Sequence, residues 1–149
     1  MKKKTIFIFL IVLVAVSLPL FPQAKTNEIG LIFLEPTGFS IKIGMGDHFG
    51  ICGAVGKTLG EENTWRLHTD FLIDLKFYGS RKFSTSFYAG FGGRYELEGK
   101  KKFGIRFPLG IDLTSEKFPV LFFAELIPIL EFTPSMLYFR GAVGMRLRF

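Results

Sequence analysis

The chain has one cysteine in 149 residues, no sustained helical period beyond residue 25, no low-complexity tract and no long run of positive charge. Each absence excludes something. A lone thiol, Cys52, cannot close an internal disulfide, so stability in an exported chain must come from packing and hydrogen bonding. Without helical periodicity the class is all-β. Without a basic run there is no electrostatic footprint for nucleic acid, and none is expected as a partner. Asp47, His48 and Cys52 are close in sequence, but three ligand types in one turn without a second cluster fall short of a zinc site. No metal and no cofactor is expected.

The N-terminus is rich in what the rest lacks. Met1-Lys-Lys-Lys4 is followed by residues 6–18, apolar except for Ser17, and then by Pro19-Leu-Phe-Pro-Gln-Ala24. This reads as a secretory signal peptide over residues 1–24, because the apolar run is shorter than the roughly 20 residues a membrane-spanning helix needs. No cysteine follows at once, so a lipid-anchored lipoprotein is not expected. Residues 25–149 then form one domain, and the net charge of +6 falls to +3 as Lys2, Lys3 and Lys4 leave.

Eight strands are expected, over about 29–34, 39–46, 50–57, 65–74, 83–95, 103–114, 119–132 and 137–149. Turn-rich stretches separate them: Glu35-Pro-Thr-Gly38, Asp47-His-Phe49, residues 58–64, 78–82 and 96–102, Ser115-Glu-Lys-Phe118 and Thr133-Pro-Ser135. Such short connections suit antiparallel hairpins.

Within the strands the charges keep to one phase. In the last, Leu137, Phe139, Gly141, Val143, Met145, Leu147 and Phe149 share one face, while Arg140, Arg146 and Arg148 share the other. Phe103, Ile105, Phe107, Leu109 and Ile111 likewise oppose Gly104, Arg106, Gly110 and Asp112. Leu67, Phe71 and Ile73 oppose Arg66, His68, Asp70 and Asp74, and Phe39 and Ile41 oppose Lys42. Alternation alone does not say which phase faces inward. The polar phase interleaves its charges with Gly44, Gly90, Gly92, Gly104, Gly110, Ala142 and Gly144, as a narrow interior requires, whereas the apolar phase is crowded with Phe and Leu that an eight-stranded barrel has no room to enclose. The expectation is therefore an eight-stranded antiparallel transmembrane β-barrel, an up-and-down meander with an apolar belt outside and a polar lumen. A cation on the lipid face at mid-depth costs about 2–4 kcal/mol, which penalises any register slip exposing the arginines. Pro108 and Pro128 fit a closed sheet poorly, so a bulge or a missing ladder bond is expected near each.

Charges inside so narrow a space survive only in pairs. The expected lumen network comprises Lys42, Asp70, Arg94, Arg106, Asp112, Glu125, Glu131, Arg140 and Arg146, with Glu125 and Glu131 meeting Arg106 and Arg140. It would plug the barrel. Phe149, an aromatic residue closing a strand of this alternating kind, is the expected assembly signal, read by the bacterial barrel-assembly machinery.

Five stretches carry a resemblance: Leu34-Glu-Pro-Thr-Gly-Phe-Ser-Ile-Lys42, Leu67-His-Thr-Asp-Phe71, Tyr88-Ala-Gly-Phe-Gly-Gly-Arg94, Phe103-Gly-Ile-Arg-Phe-Pro-Leu-Gly110 and Phe123-Ala-Glu-Leu-Ile-Pro-Ile-Leu-Glu-Phe-Thr-Pro-Ser135. Together and in this order, the chain resembles a family of small bacterial outer-membrane β-barrel proteins known mainly as a domain of unknown function. Glu35 and Glu131 stand where that family tends to have Asp. The resemblance implies the fold and an outer-membrane location; it implies no catalytic residues.

Other motifs lead nowhere as strong. Gly53-Ala-Val-Gly-Lys-Thr58 looks like the end of a phosphate-binding loop, but Ile51 stands where its first glycine belongs and no helix follows. His68 and Asp70 share a face and are the one place where acid-base chemistry could be built, which a lipid-acting barrel enzyme would want at the membrane rim. Trp65, Tyr78, Phe83, Tyr95, Phe118 and Phe122 fall near strand ends, where aromatic girdles anchor barrels. The expected function is an integral outer-membrane protein of structural or surface-interaction role and not an enzyme, monomeric, with outer-membrane lipids as its surroundings. The alternatives are a lipid-acting barrel enzyme, a narrow pore, and a soluble periplasmic ligand-binding barrel.

Overall fold

A period of two commits a segment to extended backbone, because only a strand sends successive side chains to opposite faces. The computed structural model describes residues 27–58, 64–80, 82–98, 101–115, 117–132 and 134–149, without the side chains of Lys76 and Phe77. The expected signal segment, residues 1–24, lies outside the described residues, as do 59–63 and 99–100 of two expected turns. Nine strand segments follow in order: β1 (Glu28–Phe33), β2 (Thr37–Gly44), β3 (Phe49–Lys57), β4 (Trp65–Gly79), β5 (Phe83–Glu96), β6 (Phe103–Arg106), β7 (Leu109–Ser115), β8 (Val120–Phe132) and β9 (Ser135–Arg148). The described residues contain no helix.

β6 and β7 are two halves of one strand position, each lying between β5 and β8. Each strand position pairs antiparallel with the next, and β9 returns to β1 from Glu28↔Arg148 to Phe33↔Val143. The sheet therefore closes into a ring of eight strand positions in meander order. Both chain ends of the ring lie at one rim, with the turns after β2, β4 and β7; the turns after β1, β3, β5 and β8 lie at the other.

The two prolines explain the split strand. Phe107 N–H donates to the Pro128 carbonyl at 2.9 Å, but the reciprocal bond cannot form because Pro128 has no N–H. On the other side Gly90 N–H donates to the Pro108 carbonyl at 2.9 Å, and again the return bond is missing. Register is the same before and after the break: Arg106 faces Gly92 and Ile129, and Leu109 faces Ala89 and Leu126. The prolines thus remove ladder bonds without a bulge. The bulge in the sheet is elsewhere, between Asp74 and Lys76 of β4.

The apolar phase faces outward on every strand position, with Ile29, Phe39 (69% exposed), Ile51, Leu67, Phe91, Leu109, Leu126 and Phe139 among its members. Glu28, Lys42, Arg66, His68, Asp70, Arg94, Arg106, Asp112, Glu125, Glu131 and Arg146 are buried inside, with Ile32, Leu72, Leu121, Phe123, Ile127 and Ile129 filling the space between them. Interior glycines admit large neighbours from the next strand. The Tyr88 ring occupies the place of a Cβ on Gly110, and the Phe123 ring that of one on Gly144.

Candidate functional site

Interior side chains meet in three tiers. At the rim holding the β1–β2 turn, Arg66 Nε donates to Glu96 Oε1 at 2.8 Å, and Arg66 Nη1 also bonds Glu35 Oε1. Arg94 reaches Glu35 at 3.3 Å through Nη1, and Glu96 and Glu131 at 3.6 Å each through Nη2. Arg140 Nε stands 3.8 Å from Glu35 Oε2. One carboxylate, Glu35, thus gathers three arginines.

In the middle tier Arg106 bridges two carboxylates, with Nε 3.0 Å from Asp70 Oδ1 and Nη2 3.5 Å from Glu125 Oε2. Tyr88 Oη donates to Glu125 Oε1 at 2.7 Å. His68 Nε2 lies 3.7 Å from Asp70 Oδ2. Arg146 donates to Ser40 Oγ at 3.1 Å and to Cys52 Sγ at 3.3 Å, and its guanidinium stacks 3.8 Å from the centre of the Phe123 ring. Arg106 and Arg146 are each 1% exposed, so a water-sized sphere scarcely touches either.

Toward the rim of the chain ends, Lys42 Nζ donates to Asp112 Oδ2 at 3.3 Å and lies 3.8 Å from Asp74. Glu28 takes Arg146 Nη1 at 3.5 Å and Arg148 Nη2 at 3.3 Å. Across the three tiers, seven cations meet eight carboxylates among the described residues. Desolvation of that many charges is tolerable only with such pairing, and at several contacts, those of Arg106 Nε and Nη2 included, the partners stand at ion-pair distance without a hydrogen bond.

The nine expected network residues all take part, but in different company. Glu131 meets Arg94, not Arg140, and only Glu125 meets Arg106 as expected. Arg140 is no lumen residue in the sense of the others: its side chain is 51% exposed at the rim, because β1 ends before reaching it. Glu28, Glu35 and Glu96 join the network from outside the expected set. Glu96 follows Arg94 in the same phase, and Glu28 precedes Gly30 and Ile32, so extending the alternation by two residues finds both. Glu35 carries no such signal. Leu34, at φ +83°, reverses the phase and turns Glu35 inward out of what alternation reads as an outer turn.

The remaining motifs resolve by position. Asp47 and His48 are exposed in the β2–β3 turn while Cys52 points into the ring, and no cluster of three metal-ligating residues occurs among the described residues. Gly53 to Lys57 is strand β3. His68 and Asp70 sit in the middle tier, 3% and 2% exposed, not at a rim. Phe149 is 70% exposed, and its N–H donates to the Asn27 carbonyl at 2.9 Å, tying that end of the chain to the start of β1.

No protein-family model, curated protein or solved structure shows a significant match to this chain.

Proposed function

We propose that the chain is a transmembrane β-barrel of the bacterial outer membrane, with a structural or surface-interaction role and a lumen plugged by its own ion pairs. The inversion of the ring carries this reading: Phe, Leu and Ile cover the outside of every strand position while the charges pair inside. In water that belt would far exceed the roughly 300–600 Å² of the largest apolar patch on a typical soluble monomer. Against lipid tails the same belt is the favoured surface.

Three further features support it. β4, β5, β8 and β9 run 15, 14, 13 and 14 residues, more than the ~9–11 a tilted strand needs to cross a bilayer. Exposed aromatics lie near both rims, Trp65, Phe103 and Phe132 at one and Tyr78, Phe83 and Phe118 at the other. The resemblance to small outer-membrane barrel proteins points the same way. On this reading the neighbours are outer-membrane lipids, the assembly machinery recognises Phe149, and the barrel works as a monomer. A lipid-acting enzyme would need His68 and Asp70 at the rim, and a pore would need water beside Arg106 and Arg146; neither arrangement is favoured by the geometry.

Cell fractionation with gel mobility before and after boiling tests the location. A membrane-associated protein whose band shifts on boiling is expected, and a protein wholly in the soluble periplasm would refute the proposal. Planar-bilayer recording tests the plug, which a stable open channel would sink.

A further inference from the structure

The rim that holds the chain ends carries a cavity of about 460 Å³ on the outside of the sheet, lined by Lys82, Phe83, Ser115, Lys117, Phe118 and Phe122 together with Val120. Strand phase builds its wall. Phe83 on β5 pairs with Ser115 on β7, and Phe122 on β8 pairs with Leu113. Phe83, Leu113 and Phe122 stand exposed in the apolar belt, and Ser115 shares the phase of Leu113. Ser115 is the polar member of an outward set that otherwise runs Leu109, Ile111, Leu113. Its Oγ accepts the Lys117 N–H at 3.3 Å, which leaves the hydroxyl proton to donate elsewhere. Two residues beyond Phe122 on the same face stands Ala124, where a second depression of about 570 Å³ opens between Phe87, Ile111 and Leu126. An apolar groove therefore leads from the rim toward the middle of the belt.

The rim end of that groove is cationic. Lys82 and Lys117 are exposed, and among the described residues neither has an ion-pair partner. By sequence the two turns that carry them, 80–82 and 116–119, hold Arg81, Lys82 and Lys117 against Glu116 alone. Two ammonium groups and a hydroxyl above an aromatic-walled groove match a phosphate joined to an acyl chain, which is the layout of a glycerophospholipid at a bilayer interface. We propose that the groove holds one anionic glycerophospholipid, its phosphate against Lys82, Lys117 and the Ser115 hydroxyl and an acyl chain laid past Phe122 toward Ala124. The unpaired lysines select net negative charge, because a zwitterionic headgroup brings an ammonium of its own and gains less from them. The site rests on the outer-membrane reading, which supplies the bilayer.

The test uses the chain refolded in a neutral detergent with an equimolar mixture of phosphatidylglycerol and phosphatidylcholine of one chain length, and reads the retained lipid by native mass spectrometry. One phosphatidylglycerol per protein should be retained, in about tenfold preference to phosphatidylcholine. Lys82→Gln with Lys117→Gln should remove the preference, and Lys82→Arg with Lys117→Arg should keep it. Lys57→Gln, at the opposite rim beside Trp65, should leave it unchanged. On the unaltered protein, millimolar glycerol 3-phosphate should not displace the lipid, a measurement that holds whether or not a variant folds. A preference that survives the Gln pair, or that Lys57→Gln removes equally, would overturn the site. Full displacement by glycerol 3-phosphate would overturn it too and give the lysines to a soluble phosphate. Equal retention of the two lipids with the boiling shift intact would strike the site and leave the membrane reading standing. Loss of the boiling shift with neither lipid retained would strike the membrane reading and the site together.

Discussion

Tyr88 on β5 reaches over Gly110 on β7 to donate to Glu125 on β8 at 2.7 Å, the three residues lying in one row across the sheet. A side chain at residue 110 has nowhere to go but into the Tyr88 ring. Gly110→Val should therefore cost about 1–3 kcal/mol in urea unfolding of the refolded protein. In a Tyr88→Ala background most of that cost should vanish, since the two changes share one contact. Additive costs would show that the ring is not what excludes a larger residue.

Among the described residues Arg106 is the cation that links Asp70 to Glu125. Arg106→Met should lower stability by about 3–5 kcal/mol, because two buried carboxylates lose their counter-charge. Combining it with Asp70→Asn and Glu125→Gln should recover much of the loss. Denaturation midpoints of the single and triple variants compare the two directly, and a triple variant no better than the single would deny that charge is the cause.

Phe91 lies midway along β5, 57% exposed, with its ring 5.8 Å from that of Phe71. On the proposed lipid face, Phe91→Arg should destabilise the protein by about 2–4 kcal/mol in phospholipid vesicles. In a water-facing position the same change would be close to neutral. Unfolding in vesicles separates the two cases.

The proposed assembly role of Phe149 predicts a kinetic defect. The exposed ring makes little packing contribution, so Phe149→Ser should leave the stability of refolded protein nearly unchanged while lowering the amount inserted in the outer membrane of cells. Normal insertion would remove the role.

Much of this was legible before any fold was known. The strand positions, the outward set led by Phe39, Phe91 and Phe139, and the inward set led by Arg106, Asp70 and Glu125 all follow from a period of two, which is a property of neighbouring residues. The small residues of the polar phase also showed which side was narrow. Glu35 was not legible, because a single left-handed residue, Leu34, breaks the phase on which the reading depends.

The sequence by itself determined the faces, since side-chain direction in a strand is local. Only the tertiary structure decided which charges pair, because Arg94 meets Glu131, and Arg106 meets Asp70, across strands whose stagger is set by ring closure. It also decided that Arg140, in phase with Arg146, stands at a rim instead of inside. β1 is six residues long and β9 is fourteen, and where the shorter strand ends the wall ends with it.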